Sequence, residues 1–372
     1  MMISVATSLG LKTKIKEKLS GFNGHVQITN YEDNNSQITI NPLGIEQEIP
    51  TTLEKVDGIQ HVQAYATKGG VIRTETDFEG IILKGIDQHY DWTFFKDYLS
   101  EGEILSLLEE PSFKVLISKV TSDRLGLKLG DTFNTFFIKD DPTKAPNVRV
   151  FTVGGIYNSG FQEFDENYVI GDIRVIQRLN RWEKEQVGGY EVLLDDFDEL
   201  EFMGNEIYNQ VGSTLNAQTI GEKYPAIFEW MRLFDVNTYV ILGIMILIAG
   251  INMITALLVL ILERTQMIGI LKALGNNNWS IRKIFLYNAA YLIAVGLFWG
   301  NLIGIGILLI QKYFGVIRLN PETYYVNQAP VYFDFGYILL LNIGTLILCL
   351  LMLLIPSFIV SKISPVKAIK FD

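Results

Sequence analysis

The chain has 372 residues, room for two domains of ordinary size, and its 49% hydrophobic content is high for a soluble protein with 19% charged residues. The charges are segregated, because residues 1–235 hold 22 Lys or Arg against 37 Asp or Glu (net −15), whereas residues 236–372 hold nine against four (net +5). The two parts therefore meet different surroundings, and the acidic first part argues against nucleic acid as a partner. Cys349 is the only cysteine, which excludes an intrachain disulfide.

Residues 1–21 predict a helix with Leu11, Ile15 and Leu19 on one stripe and Gly21 as its terminator. About 11 residues, or roughly 16 Å of helix, precede the first lysine, which is half of a hydrocarbon core. We expect this helix to be the end of a first transmembrane or stalk helix whose start is missing from the chain. The alternative is an amphipathic anchor that lies on the membrane surface.

Residues 22–235 predict an α+β domain with a mixed sheet. Helices are predicted at 173–181, at 197–211 and in the segment that begins at Tyr224. Strands are predicted at 25–29, 37–41, 80–86, 133–138, 148–157 and 190–195.

The same region contains no pattern typical of an enzyme. Its histidines are scattered, and the acidic cluster Glu163, Asp165 and Glu166 lies in "SGFQEFDENY", which we interpret as a solvated turn between strands. The sequence has no G-x-x-x-x-G-K-[ST] phosphate loop. We therefore predict no catalytic residue, no metal site and no cofactor in this chain.

Residues 236–372 predict a transmembrane domain. The uncharged runs 239–262, 284–311 and 335–361 are each long enough to span a bilayer, the first extending about 36 Å as a helix. The loop 263–283 and the tail after the last run are rich in Lys and Arg, whereas the charges of 312–334 balance. The positive-inside rule places that loop and the tail in the cytoplasm, and the acidic domain outside.

The loop "ERTQMIGILKALGNNNWSIRKIF" (263–285) predicts a short helix near 264–275 along the cytoplasmic face. Its apolar stripe consists of Met267, Ile270, Leu271 and Leu274. Gly275 is expected to end this helix and Asn278 to cap the next one.

Gly269 lies in the middle of the same short helix, where glycine costs about 1 kcal/mol relative to alanine. A glycine at this position favours a helix against which another protein packs closely. The alternative, an ordinary re-entry loop between two spans, would need no apolar stripe.

Two features of the spans bear on helix packing. Gly296, Gly300 and Gly304 follow the small-xxx-small spacing that lets helices approach, either between subunits or within one. Pro356 removes a hydrogen bond from the last span and predicts a kink.

The stretch "INMITALLVLILERTQMIGILKALGNNNWSIRKIF" resembles the signature of the FtsX/MacB-type ABC-transporter permeases, and "IPSFIVSKISPVKAIKFD" resembles their closing segment. The segments 84–87, 117–133 and 151–169 are similar to the periplasmic domain of the lipoprotein-releasing permeases LolC and LolE. The resemblance covers nearly the whole chain. It implies an α+β periplasmic domain and four transmembrane helices per subunit, of which three complete spans and the end of a first one are present here.

The resemblance also implies partners. These are two separate ABC ATPase subunits that bind the ATP, a second permease subunit in a homo- or heterodimer, and a lipoprotein lifted from the outer leaflet of the bacterial inner membrane. By the same resemblance, the ATPase-coupling positions are Glu263, Arg264, Gly269, Lys272 and Gly275. A loop that recruits a periplasmic lipoprotein chaperone corresponds to 139–147, with Pro142 and Pro146, and is shorter here.

Two other functions remain open. One is a MacB-like exporter half that works with a separate ATPase on peptides or small molecules. The other is an FtsX-like activator of cell-wall hydrolases, which transports nothing and generally has a smaller outside domain.

Overall fold

The computed structural model describes residues 1–33, 36–44, 49–75, 77–107, 110–139, 145–212 and 214–362. It divides into two compact units. The helical unit comprises 1–12, 229–318 and the described residues from 328 onward, and the sheet unit comprises 13–228 and 319–327. The sheet unit thus begins nine residues before the predicted boundary at 22, and it includes part of the connection between the second and third predicted spans.

Among the described residues, the strands of the sheet unit form one sheet of ten strands. Their bounds are β1 Val26–Asn30, β2 Ile59–Arg73, β3 Phe78–Ile86, β4 Leu99–Gly102, β5 Lys114–Ser118, β6 Thr132–Phe137, β7 Asn147–Tyr157, β8 Tyr168–Asp172, β9 Gly189–Leu194 and β10 Leu215–Thr219.

The mixed sheet predicted from the sequence is confirmed. β3 pairs in parallel with β8 and β5 with β7, whereas β2 pairs antiparallel with β3, β6 and β9. Because β6 also pairs with β7, the strands β2, β3, β8, β5, β7 and β6 close a ring, and β9, β1 and β10 extend the sheet from β2.

One predicted strand is wrong. Residues 37–41 form no strand, although the Thr39 backbone N–H donates to the Thr67 carbonyl at 3.2 Å. The hydroxyls of Thr39 and Thr67 each accept a hydrogen bond from the backbone N–H of the other residue, and no strand ladder continues from this contact.

The α-helices of the described residues include the predicted ones. They are α1 Met2–Asn23, α2 Ile49–Leu53, α3 Thr93–Tyr98, α4 Lys119–Leu125, α5 Gln162–Asn167, α6 Ile173–Asn180, α7 Leu200–Val211, α8 Ile220–Lys223, α9 Pro225–Glu263, α10 Thr265–Ala273, α11 Asn278–Phe314, α12 Pro321–Tyr324, α13 Phe335–Ser357 and α14 Ile359–Lys362. Single helical 3-10 turns cover Tyr31–Asp33 and Phe197–Glu199.

The acidic cluster interpreted as a solvated turn is instead the helix α5, and that interpretation is wrong for Asp165. This side chain is 2% exposed. Its carboxylate accepts hydrogen bonds from the Ser159 hydroxyl at 2.7 Å and from the Gly160 backbone N–H at 2.9 Å. Asp165 therefore holds the turn that leads into α5.

A row of stacked aromatic rings runs through the sheet unit. Phe22 stacks on Phe164 at 4.0 Å, Phe164 on Phe161 at 4.4 Å, and Phe161 on Tyr325 at 5.0 Å between ring centroids. The carbonyl of Tyr325 accepts a hydrogen bond from the Lys18 ammonium at 3.0 Å. These contacts explain why 319–327 belongs to the sheet unit.

In the part of the chain that the structure describes, three helices are long and apolar enough to cross a membrane: Pro225–Glu263, Asn278–Phe314 and the segment Phe335–Ser361. Between 11% and 17% of the residues in their most apolar windows are buried. Most of their apolar side chains are thus left for lipid or for another protein. The prediction that α1 is the end of a further span stays a prediction.

Candidate functional site

The predicted cytoplasmic helix is present as α10. The helix α9 ends at Glu263, and Arg264 leaves helical geometry with φ −102° and ψ 15°. After Ala273, Gly275 has φ +86°, and its backbone N–H donates to the Lys272 carbonyl at 3.0 Å. Glycine adopts this left-handed conformation readily, so it ends the helix as predicted.

The cap of the next helix lies one residue earlier than predicted. Asn277 has extended backbone geometry, and its side chain accepts a hydrogen bond from the Ser280 backbone N–H at 2.8 Å, whereas Asn278 is already the first residue of α11. The N-cap position requires a non-helical backbone, which Asn277 has.

The predicted apolar stripe of α10 does not form one buried face. Met267, Ile270 and Leu274 are 39%, 47% and 80% exposed, and we call these three residues the exposed ridge. Leu271 packs against the core cluster of the helical unit, where Ile268 is fully buried. The helix therefore has one side anchored in its own unit and an apolar side that is free.

Gly269 lies on the anchored side. It is buried together with Ile268 within this chain, so the hypothesis that its small size admits another protein does not fit. The sequence pattern could not reveal this, because both sides of α10 carry apolar residues.

Lys272 also contacts its own chain. Its ammonium donates to the carbonyl oxygens of Val360 at 2.8 Å and Ser361 at 3.2 Å, in α14. The last helix of the described chain is thereby tied to α10. By contrast, Glu263 and Arg264 are exposed.

Arg282, which the sequence did not single out, forms a second tie near the same end of the helical unit. Its side chain is 8% exposed. Its guanidinium donates to the Ser357 hydroxyl at 3.1 Å and lies 3.8 Å from the centre of the Phe358 ring. A basic residue just before an uncharged run, in the helix that leads into it, was the available signal.

The interruption of the last span lies at this contact. Pro356 is inside α13, which ends at Ser357, and Phe358 is a turn before α14 begins. Pro356 lacks the backbone N–H that would donate to the carbonyl four residues earlier, which weakens the turn just before the break, near the predicted position. Lys272 and Arg282 bind the chain on both sides of the break.

Comparison with known proteins agrees with this arrangement. The model of the FtsX-like permease C-terminal family matches residues 239–365, which include α10 and its two flanking spans. Residues 239–365 therefore match an FtsX-like permease domain, and the chain as a whole is similar to FtsX/MacB-type ABC-transporter permeases.

Curated relatives of this chain include the lipoprotein-releasing system transmembrane protein LolC of Neisseria meningitidis serogroup B, 22% identical over 100% of this chain and 91% of the relative. LolC of Haemophilus influenzae is 21% identical over 100% of this chain and 90% of the relative. Among solved structures, the periplasmic region of MacB from Actinobacillus actinomycetemcomitans is 16% identical with a TM-score of 0.36, covering 54% of this chain and 91% of that one.

The remaining positions predicted from the sequence lie apart from α10. Gly296 and Gly300 have open space where a Cβ would be, whereas a Cβ on Gly304 would lie 2.5 Å from Met2 Cε. Of this glycine set, Gly304 therefore packs within the subunit, and the other two present a free face.

The chaperone-loop residues are only partly described. Pro146 lies directly before β7, and Pro142 lies outside the described residues.

Proposed function

We propose that this permease couples ATP hydrolysis by a separate ATPase to the release of lipoproteins from the outer leaflet of the bacterial inner membrane. The observation that carries the proposal is the exposed ridge of α10, apolar and unpaired on a short helix between two candidate spans. The similarity to LolC along the whole chain supports lipoprotein as the substrate class.

The anchoring of α10 suits a coupling role. Because Ile268 is buried and Lys272 binds α14, a force on the ridge moves α10 together with the end of the last helix. Glu263 and Arg264, exposed at the start of the helix, extend the proposed ATPase surface with charge. Gly269, Lys272 and Gly275 then act within the subunit, where they shape and hold α10.

The proposed assembly includes a second permease subunit, with Gly296 and Gly300 as a face open to another helix. It places the sheet unit in the periplasm, where a lipoprotein chaperone would receive the cargo near 139–147. ATP is bound by the partner ATPase.

The first test changes the ridge. Ile270→Glu and Leu274→Glu place a carboxylate on an exposed apolar surface, so we expect the chain to fold and to bind its ATPase at least about 30-fold more weakly. Binding is measured by co-purification from native cells in mild detergent, and lipoprotein release by the fraction left in the inner membrane.

The matched control is Gln266→Glu, an exposed residue of the same helix outside the ridge. Full ATPase binding by both ridge variants would refute the docking role of α10.

The substrate class is tested separately, by mass spectrometry of acylated peptides that co-purify with the wild-type chain. Triacylated lipoproteins are expected. Cell-wall hydrolases in their place would assign the chain to the signalling class, and bound peptides without acyl chains would indicate a MacB-like exporter.

A further inference from the structure

A polar cavity of about 390 Å³ lies in the sheet unit, beside β1, β2 and β9. Its size is within the range of small-molecule sites. Residues at its rim, including Ser36, Gln37 and Glu222, are exposed, whereas its floor is buried. A molecule from solvent can therefore reach the floor, and nothing in the permease function described above uses this space.

The charged groups of the floor are already paired with each other. The Lys84 ammonium lies 2.7 Å from Glu191 Oε1, and these side chains are 2% and 0% exposed. The other oxygen of Glu191 accepts from Gln63 Nε2 at 2.9 Å. A charged ligand would find no free countercharge at this pair, and burying it there would be costly.

The second cation of the cavity is also engaged. The Lys223 ammonium donates to Gln27 Oε1 at 2.5 Å, and it faces the carboxylate of Glu163 electrostatically. Burial lowers the pKa of Lys223 to about 8, against the opposing effect of Glu191. The two lysines are thus matched by Glu191 and Glu163. Two further carboxylates make the lining acidic overall, and both are hydrogen-bonded: Asp33 accepts from the Asn41 backbone N–H at 2.9 Å and Glu222 from the Thr219 backbone N–H at 2.9 Å.

Two neutral groups of the floor are left unused. The side chains of Tyr65 and Tyr168 are 6% and 4% exposed, and within the described ranges of the chain neither phenol hydroxyl has a hydrogen-bond partner. Both hydroxyls are accessible from the cavity, so a ligand that enters it can hydrogen-bond to them. The amides of Gln37 and Gln218 add further neutral donors and acceptors to the lining.

We propose that this cavity binds a neutral, hydroxyl-rich small molecule, a sugar, through the hydroxyl groups of Tyr65 and Tyr168. A polyol both donates and accepts hydrogen bonds without bringing charge, which matches a lining whose charges are satisfied and whose phenols are not. The site goes beyond the proposed transport function, and binding to it needs no ATPase.

The test uses the full chain without its partners, in lauryldimethylamine oxide, because detergents with sugar headgroups would compete. Glucose, N-acetylglucosamine and glucose 6-phosphate are titrated by isothermal calorimetry. At least one neutral sugar is expected to bind saturably below about 10 mM, with glucose 6-phosphate at least about tenfold weaker than glucose. No saturable binding of either neutral sugar, or equal binding of the phosphate, would overturn the proposal.

The location is tested with Tyr65→Phe and Tyr168→Phe, each of which removes one hydroxyl and leaves the ring. Each is expected to weaken binding about fivefold, the effect of one neutral hydrogen bond. Tyr190→Phe on β9 is the matched control, since Tyr190 does not line the cavity. Wild-type affinity in both cavity variants would show that the sugar binds elsewhere.

Discussion

In the sheet unit, the buried Lys84 lies against a carboxylate, whereas in the helical unit the buried Arg282 lies against a hydroxyl and an aromatic ring. The two cations are similarly inaccessible, at 2% and 8% exposure. A lysine can lose its charge when buried alone, and burial does lower the pKa of Lys84, which Glu191 opposes. An arginine stays charged, and its several donors can be divided among neutral acceptors.

The difference teaches what each contact is suited to do. The Lys84 pair fixes strands β3 and β9 at one point through opposite charges, with both partners deep in the sheet unit. The contact of Arg282 joins the start of α11 to the chain around Pro356, where the Ser357 hydroxyl and the Leu354 carbonyl accept hydrogen bonds from its guanidinium. Neutral partners can be exchanged at little electrostatic cost, which suits a junction that moves.

The largest expected effect comes from breaking the charge pair. Glu191→Gln leaves the Lys84 ammonium buried without a countercharge, so the sheet unit should lose about 3–5 kcal/mol of unfolding free energy. Chemical denaturation of the full chain in detergent, followed by circular dichroism, measures the loss.

A matched control is Glu79→Gln, because Glu79 pairs with the exposed Arg124 at 3.0 Å. An exposed pair of this kind contributes about 0–1 kcal/mol. Similar losses of unfolding free energy in the two variants would mean that the buried pair stabilises the sheet unit no more than the exposed pair does. The double variant Lys84→Met/Glu191→Leu removes both charges and should recover much of the stability.

A smaller effect is expected at the neutral contact. Arg282→Gln removes the charged hydrogen bond to Ser357, which is worth about 1.5–3 kcal/mol, so local opening of the helical unit should become about 10–100-fold more frequent. The native probe is Cys349, which is 2% exposed in the core cluster with Phe285 and Leu353. Its alkylation rate by a maleimide reports the opening.

Lys283→Gln is the control for this change, because the neighbouring Lys283 lies near the Trp279 ring at 5.7 Å and is exposed. Equal alkylation rates in the wild type and in Arg282→Gln would show that Arg282 does not hold α11 and α13 together.

The sequence revealed those features whose periodicity is local. The apolar runs predicted the spans, and the stripe with its glycine predicted α10. The strand β2 was missed because residues 62–67 are buried on both faces, which removes the alternation that marks a half-exposed strand.

The site was harder to predict than the fold around it. The side of α10 that carries Gly269 and Lys272 is anchored by α14, which follows some 90 residues later in the chain. The resemblance assigned Lys272 to the ATPase-coupling surface. Only the structure shows that its ammonium binds a carbonyl of its own chain instead. Short-range patterns contain no information about which face of a helix its own chain will cover.

A third way to bury an ionisable group is to keep it neutral, as His25 shows. The change in stability expected here is the smallest of the three. Its Nδ1 accepts a hydrogen bond from the Leu194 backbone N–H at 3.0 Å, and burial lowers the pKa of His25 to about 4. Between pH 6.5 and 4 the unfolded chain therefore binds a proton that the folded chain does not. The sheet unit should lose stability as the pH falls through this window, by about 1 kcal/mol between pH 6.5 and 5.5.

His25→Asn keeps a side-chain acceptor and removes the titration, so its unfolding free energy should depend less steeply on pH in this window. His89→Asn, at an exposed histidine, should keep the slope of the wild type. If His25→Asn keeps that slope as well, other groups titrate in the window, and the neutral histidine does not account for the sensitivity of the sheet unit to acid. A reduced slope in His25→Asn would assign the acid sensitivity of the sheet unit to this buried neutral histidine.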